Sequence, residues 1–82
     1  MIAERDIVRL IKRRRRNLGL TQSDVVTRLQ LAGFDVSVEV YKNIENSRRL
    51  LKVAEFLFLV GLLEIDVDAI LDEFIRAMPG TK

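Results

Sequence analysis

The stretch from Leu20 to Asn46, LTQSDVVTRLQLAGFDVSVEVYKNIEN, constrains the fold more than any other part of the chain. It reads as two short helices with a tight connection between them. Thr21 is a good N-cap, and Asp24, three residues on, supplies the acidic half of a capping box. Val25, Val26 and Leu29 then recur at helical spacing and define one apolar face. Gly33 interrupts that pattern, and Phe34 falls in the interruption, where a ring can plug the angle between two helices. Ser37 follows as a second N-cap, with Val40, Tyr41 and Ile44 as the inward stripe of a second helix. The alternation in VSVEV suggests a strand. Its place between a capping serine and the helical continuation YKNIEN argues for a helix instead.

A capped helix, a turn containing glycine and another capped helix follow each other as in a helix-turn-helix, and the spacing fits any αα-hairpin of a small bundle as well. With 82 residues the chain makes one domain. A domain of this size buries only about 60–65% of its unfolded surface, so a stability of roughly 4–12 kcal/mol is expected. There is no cysteine and no histidine. That removes disulfides, thiolate metal sites and the commonest general base and metal ligand. No paired-acid, phosphate-cradling glycine-rich or nucleophile-elbow pattern occurs either. Tyr41 reads as a core residue with its hydroxyl at the rim, and Ser23, Ser37 and Ser47 all have capping or loop explanations. The expectation is therefore a non-enzymatic domain without metal or cofactor. No leader-like segment and no apolar run of about 18 residues is present, so a soluble, cytoplasmic protein without membrane contact is expected.

The net charge of +2 hides an asymmetry. Residues 1–52 carry 12 Lys/Arg against 6 Asp/Glu, whereas residues 53–82 carry 2 against 6. A front half at +6 and a back half at −4 point to a polyanion for the front, or to mutual attraction of the halves within the fold. The basic excess coincides with the paired helices, which favours the polyanion.

The flanking segments complete an all-α reading. A first helix is predicted from about Ala3 to Leu18, with Ile7, Leu10, Ile11 and Leu18 facing the core, Arg14 at the edge of that stripe and Gly19 as its stop. Arg13 to Arg16 complement its C-terminal dipole, yet point in four directions and cannot all meet one ligand. Further helices are predicted over about Gln22–Leu31, Val38–Asn46, Lys52–Leu63 and Ile65–Met78. Ala32 to Val36 forms a long turn, and Ser47 to Leu51 a loop centred on Arg48 and Arg49. The fourth helix is so apolar that it should be buried on every side, by other helices or by a partner subunit. Gly61 within it suggests a close helix contact. In the fifth, Val67, Ile70, Leu71 and Phe74 should face the core, leaving Ile75 and Met78 as a spare edge suited to a dimer contact. Asp66 or Asp68 can cap its start, and Pro79-Gly80 should stop it. Residues 79–82 are expected to be a disordered tail after a domain of residues 1–78.

With these elements in place, the chain resembles the lambda-repressor-like, Xre-type helix-turn-helix family. The matching residues are Ile11 to Arg15, the Gly19-Leu20-Thr21-Gln22 turn, Leu29, the Ser37 cap, and Ile44-Glu45-Asn46 followed by Arg48-Arg49. The apolar fourth helix before Ile65-Asp66-Val67-Asp68-Ala69-Ile70-Leu71 matches as well, so the resemblance covers about residues 5–71. It implies a compact five-helix DNA-binding domain whose third helix enters the major groove. By the same resemblance, Thr21 and Gln22 contact backbone phosphate, as helix N-termini and amides can. Ser37, Val38, Glu39, Lys42 and Asn43 form the outward face of the recognition helix, and Asn46, Ser47 and Arg48 lie along the backbone. Glu45 matches an acid that pairs with a first-helix arginine, here Arg15, in a structural role.

Four residues depart from the family pattern. Val38 and Val40 stand where polar or basic side chains are common, although valine can pack on a thymine methyl. Glu39 is acidic where DNA should approach; it can accept from cytosine N4 or repel phosphate. Glu64 replaces a common glycine before Ile65, so that turn should be strained or rebuilt. The implied function is a sequence-specific double-stranded DNA-binding transcriptional regulator, a repressor acting as a homodimer in the cytoplasm, associated with a prokaryotic or phage nucleoid. The alternative is a protein-interaction module on the same fold, such as an antitoxin or co-repressor subunit with a protein partner.

Overall fold

The computed structural model describes residues 4–77, with the side chains of Glu4, Glu73 and Ala77 left out. The expected tail at 79–82, the Pro79-Gly80 stop and Met78 lie outside the described residues. The chain is all-α: α1 (Glu4–Asn17), α2 (Gln22–Leu31), α3 (Val38–Glu45), α4 (Val53–Leu62) and α5 (Val67–Ala77), with no strand among the described residues. Its radius of gyration is 13.2 Å. The five predicted helices are present to within a residue or two at each described end.

The caps explain where each helix starts and stops. Thr21 Oγ1 accepts from Asp24 N–H while the Asp24 carboxylate accepts from Thr21 N–H, a complete capping box. Ser37 Oγ accepts from Val40 N–H at the start of α3, and Asp66 Oδ1 accepts from Asp68 N–H before α5. At their C-termini, α1 to α4 end alike. In each, the second residue past the cap donates its N–H back across the last turn: Leu20 to Arg15, Phe34 to Leu29, Arg48 to Asn43, Ile65 to Val60. The residue before it takes positive φ: Gly19 (+73°), Gly33 (+95°), Ser47 (+58°) and Glu64 (+53°). This is the Schellman closure, which favours glycine because a Cβ crowds the left-handed region.

Glu64 thus adopts the same turn as a glycine would, so the turn is strained and not rebuilt. Replacing Glu64 by glycine is expected to stabilise the domain by about 0.5–1 kcal/mol, since strain relief outweighs the added freedom of the unfolded chain. In a thermal melt that is a rise of roughly 3–6 °C. A lower melting temperature would show that the glutamate side chain contributes more than its backbone conformation costs.

The core holds Ile11 from α1, Val25, Val26 and Leu29 from α2, Val36 from the turn, Tyr41 and Ile44 from α3, and Leu59, Leu63 and Ile65 from α4 and its exit. Val8 is buried too, a position the predicted stripe of α1 omitted. Phe34 does plug the turn: its ring lies 5.4 Å from that of Phe58, tilted by 49°. The α3 helix packs chiefly on α2 and α1.

Two expectations about the back half fail, and burial of α4 by the other helices is not met within this chain. The α4 helix is not buried on every side. Its Leu59 is fully covered and stabilises the fold by about 1.5–3 kcal/mol, but Val53 (74%) and Leu57 (62%) face outward. The reason is scale, because a chain this short lacks the elements to surround a helix once α1 and α2 are packed on α3. Gly61 makes no close helix contact either; a Cβ there would meet nothing within 4 Å. Among the described side chains of α5, Ile70 packs against the core, while Val67, Leu71 and Phe74, expected to point inward, are exposed with Ile75.

Candidate functional site

The outer side of α3 follows from its register. Glu39, Lys42, Asn43 and Asn46, at i, i+3, i+4 and i+7, share one face opposite the buried Tyr41 and Ile44. Glu39, Lys42 and Asn46 are exposed and Asn43 is half-buried. Glu39 lies in the first turn, where a carboxylate complements the helix dipole. Val38 departs from expectation. It falls on the side of Glu45, half-buried against the core, and offers little to the outer face. Val40 packs inward in the same way. Ser37 is exposed at the N-terminal end, with its hydroxyl engaged as the cap.

A buried polar network sets the orientation of this face. Arg15 donates through Nε to Glu45 Oε2 (2.7 Å) and through Nη2 to Oε1 (3.0 Å), a two-pronged ion pair between α1 and α3. Its Nη1 also donates to the Leu20 carbonyl (2.8 Å), which ties in the α1–α2 turn. Gln22 Nε2 donates to Glu45 Oε1 (3.0 Å). One amide proton of Gln22 is thus committed inward, so beside the phosphate contact expected of it Gln22 clamps the start of α2 to the end of α3. Thr21 remains exposed beside it. Burial alone would push the Glu45 carboxyl up, but its polar neighbours, first Arg15 and then Tyr41 and Gln22, prevail and hold it below the usual carboxylate range. The Arg15 guanidinium is raised, first by its hydrogen bond to Glu45.

Tyr41 borders the same network. Its hydroxyl is fully buried, not at the rim, and makes no hydrogen bond of acceptable geometry although Arg15 and Glu45 are close. Burial pushes its ionisation far above the ordinary tyrosine value. An unsatisfied buried hydroxyl contributes desolvation without return. Tyr41→Phe is accordingly expected to leave stability within about 0.5 kcal/mol of the parent or to raise it by up to ~1 kcal/mol. A denaturant melt showing a loss above that range would mean the hydroxyl is bonded after all.

The loop after α3 brings Asn46, Ser47 and Arg48 to the surface, all exposed. Two adjacent arginines there have different fates. Arg49 turns inward and grips Glu55 with both Nη atoms (2.7 and 2.9 Å), while the Lys52 N–H donates to the same carboxylate (3.0 Å). Glu55 is buried and held below the usual carboxylate range, first by Arg49. Sequence reading missed this pair, since Glu55 was lost among apolar neighbours. Arg48 faces solvent, and its position in the turn is telling. In the other three Schellman closures the equivalent residues are Leu20, Phe34 and Ile65, apolar as that motif favours. Only after α3 is it a cation.

The Gln22–Glu45 bond thus sets Thr21 alongside the C-terminal turn of α3, where Asn46, Ser47 and Arg48 follow. Lys42 and Asn43 lie one turn back, Glu39 further along, and Ser37 at the far end. Further exposed cations lie on α1, at Arg9, Arg13 and Arg16, whereas Arg14 is half-buried and donates through Nε to the Leu63 carbonyl at the end of α4 (2.8 Å). Among the described residues no cluster of three or more carboxylates suits a metal ion, and no helix is long and apolar enough to cross a membrane. Compared with known protein families, with curated proteins and with solved structures, the chain gives no match.

Proposed function

We propose that this chain is a sequence-specific double-stranded DNA-binding transcriptional regulator, a repressor, in which α2 and α3 act as a helix-turn-helix and α3 lies in the major groove. The observation that carries the reading is the Arg48 exception. A repeated turn with an apolar plug in three places offers a solvated cation in the fourth, at the end of a helix whose outer face is polar. A buried ion pair and an amide clamp hold that helix rigidly, as groove readout requires. An α-helix with its side chains is about 10–12 Å across, which fits the ~12 Å width of the major groove. In this reading Lys42 and Asn43 address bases, Glu39 selects against wrong sequences, and Thr21, Asn46, Ser47 and Arg48 fix register on the phosphates. No cofactor is needed, and two copies span half-sites about 34 Å apart.

Selection from a random duplex pool tests this directly. A recovered motif, bound with a log K against log salt slope of about −5 for some six neutralised phosphates, is the expected result. Equal affinity for scrambled duplexes would remove the specific-regulator reading. The exposed apolar residues of α4 favour a second one, a protein-interaction module on the same fold, in which a protein partner covers Val53 and Leu57.

A further inference from the structure

We propose that the groove between α1 and the start of α5 binds a small zwitterion, an α-amino acid with an apolar side chain. The site goes beyond the DNA reading and does not depend on it. The groove holds about 350 Å³, at the lower end of the ~300–1,000 Å³ usual for small-ligand sites. Arg13 and Arg14 line it from α1, and Glu64 and Asp66 from the α4–α5 turn. Leu10, Ile65 and Ala69 supply its apolar walls. The larger groove beside α2, of about 550 Å³, offers less to orient a ligand. There the Asp24 carboxylate is committed to the capping box and the Thr27 hydroxyl donates to the Ser23 carbonyl.

Arg14 fixes one end of the ligand. Three of the described arginines are withdrawn from solvent: Arg14, Arg15 and Arg49. Arg15 and Arg49 each grip a carboxylate with two nitrogens, which is what a cation removed from water requires. Arg14 is the exception. Its Nε donates to the Leu63 carbonyl at 2.8 Å, and among the described residues it joins no ion pair. That bond sets the plane of the guanidinium and leaves its outer nitrogens for a carboxylate, the acceptor their fork fits best. Glu64 gives the second, independent observation. It holds a left-handed turn at φ +53°, and its carboxylate makes no hydrogen bond or ion pair among the described residues. Nothing in the free chain offsets that strain; an ammonium bound by the carboxylate would, and strain of this kind gathers at ligand sites. Two arginines and two carboxylates cancel around the groove. A simple anion drawn by the arginines is repelled by the acids, whereas a molecule with both charges satisfies both sides.

A ¹H–¹⁵N titration of the full chain, without DNA, with L-leucine, L-isoleucine and L-methionine in turn tests the site. Saturable shifts of the Ile65, Asp66 and Ala69 amides, with a Kd below about 1 mM for at least one probe, are expected. Isocaproate and isopentylamine are leucine without its ammonium and without its carboxylate, and each should bind at least ~10-fold more weakly than leucine. Glu64→Gln and Arg14→Gln should each weaken the best probe by at least ~10-fold. Because Arg14→Gln also removes the bond to the Leu63 carbonyl, Ala69→Phe provides an arm that leaves both charged groups in place. Ala69 is exposed on α5, so circular dichroism should show the fold unchanged while the ring fills the groove and the shifts disappear. Shifts that never saturate with any of the three probes would overturn the proposal, as would isocaproate binding as tightly as leucine. A folded Ala69→Phe chain that keeps parent affinity, or an Arg14→Gln chain that melts earlier yet binds unchanged, would do so too.

Discussion

Glu45→Ala should lower stability by about 3–5 kcal/mol, the effect expected when one partner of a buried ion pair is deleted and the other remains. Arg15 is 7% exposed and would keep only the Leu20 carbonyl as an acceptor, with a full charge in a nearly dry site. The loss compares with a total of roughly 4–12 kcal/mol for a domain this small. The melting temperature should therefore fall by at least about 15 °C, and a chain at the lower end of stability would be unfolded at ambient temperature. Replacing both partners with apolar residues of similar size should recover much of the loss, because the desolvation penalty leaves together with the attraction. A fall of less than about 3 °C for the single substitution would show that water enters the site, and would end the view of this network as the element that aims α3.

The same network predicts the direction of acid sensitivity. Glu45 and Glu55 both ionise below their usual range in the folded chain. A depressed carboxylate binds fewer protons folded than unfolded. Its stabilisation is complete above the unfolded value, near 4.3, and is lost as pH falls through the folded one. Stability should thus be flat from neutral pH down to about 5 and decline below it.

What the sequence disclosed, it disclosed through local chemistry. Thr21 with Asp24, Ser37, Gly19 and Gly33 announce caps because the groups that satisfy them lie within a few residues. The Arg15–Glu45 pair spans thirty positions and emerged only from a family resemblance, because spacing carries no information over that distance. The Gln22–Glu45 bond left no trace in the sequence, since a polar residue at a helix start gives no hint of an acid from another helix. Ser47 and Glu64 take left-handed turns without a glycine to mark them. The exposed stripes of α4 and α5 show the limit of periodicity most plainly. It tells which apolar residues share a face, and is silent on whether anything in the chain covers that face.

Alanine at both Lys42 and Asn43 should leave folding almost unchanged and reduce affinity for the selected duplex by about 30-fold to 10⁴-fold. The range follows from 1–3 kcal/mol for each side chain that meets a base edge. Stability should move by no more than about 0.5 kcal/mol, since neither side chain lies in the core and neither is fixed in the buried network. The single substitutions divide the roles. Loss of Lys42 removes a cation, so the salt slope should become shallower by about 1 if it meets phosphate, and stay steep with altered base preference if it meets guanine. Loss of Asn43 should leave the slope alone and relax selectivity at one position, as an amide reading adenine would. Glu39→Ala should act with the opposite sign on scrambled duplexes, tightening them as phosphate repulsion disappears, while selectivity falls. Gel-shift titrations at several salt concentrations measure all of these. If the double alanine variant keeps parent affinity for the selected site, α3 does not read the groove, and the exposed apolar surfaces of α4 and α5 become the better guide to what this domain binds.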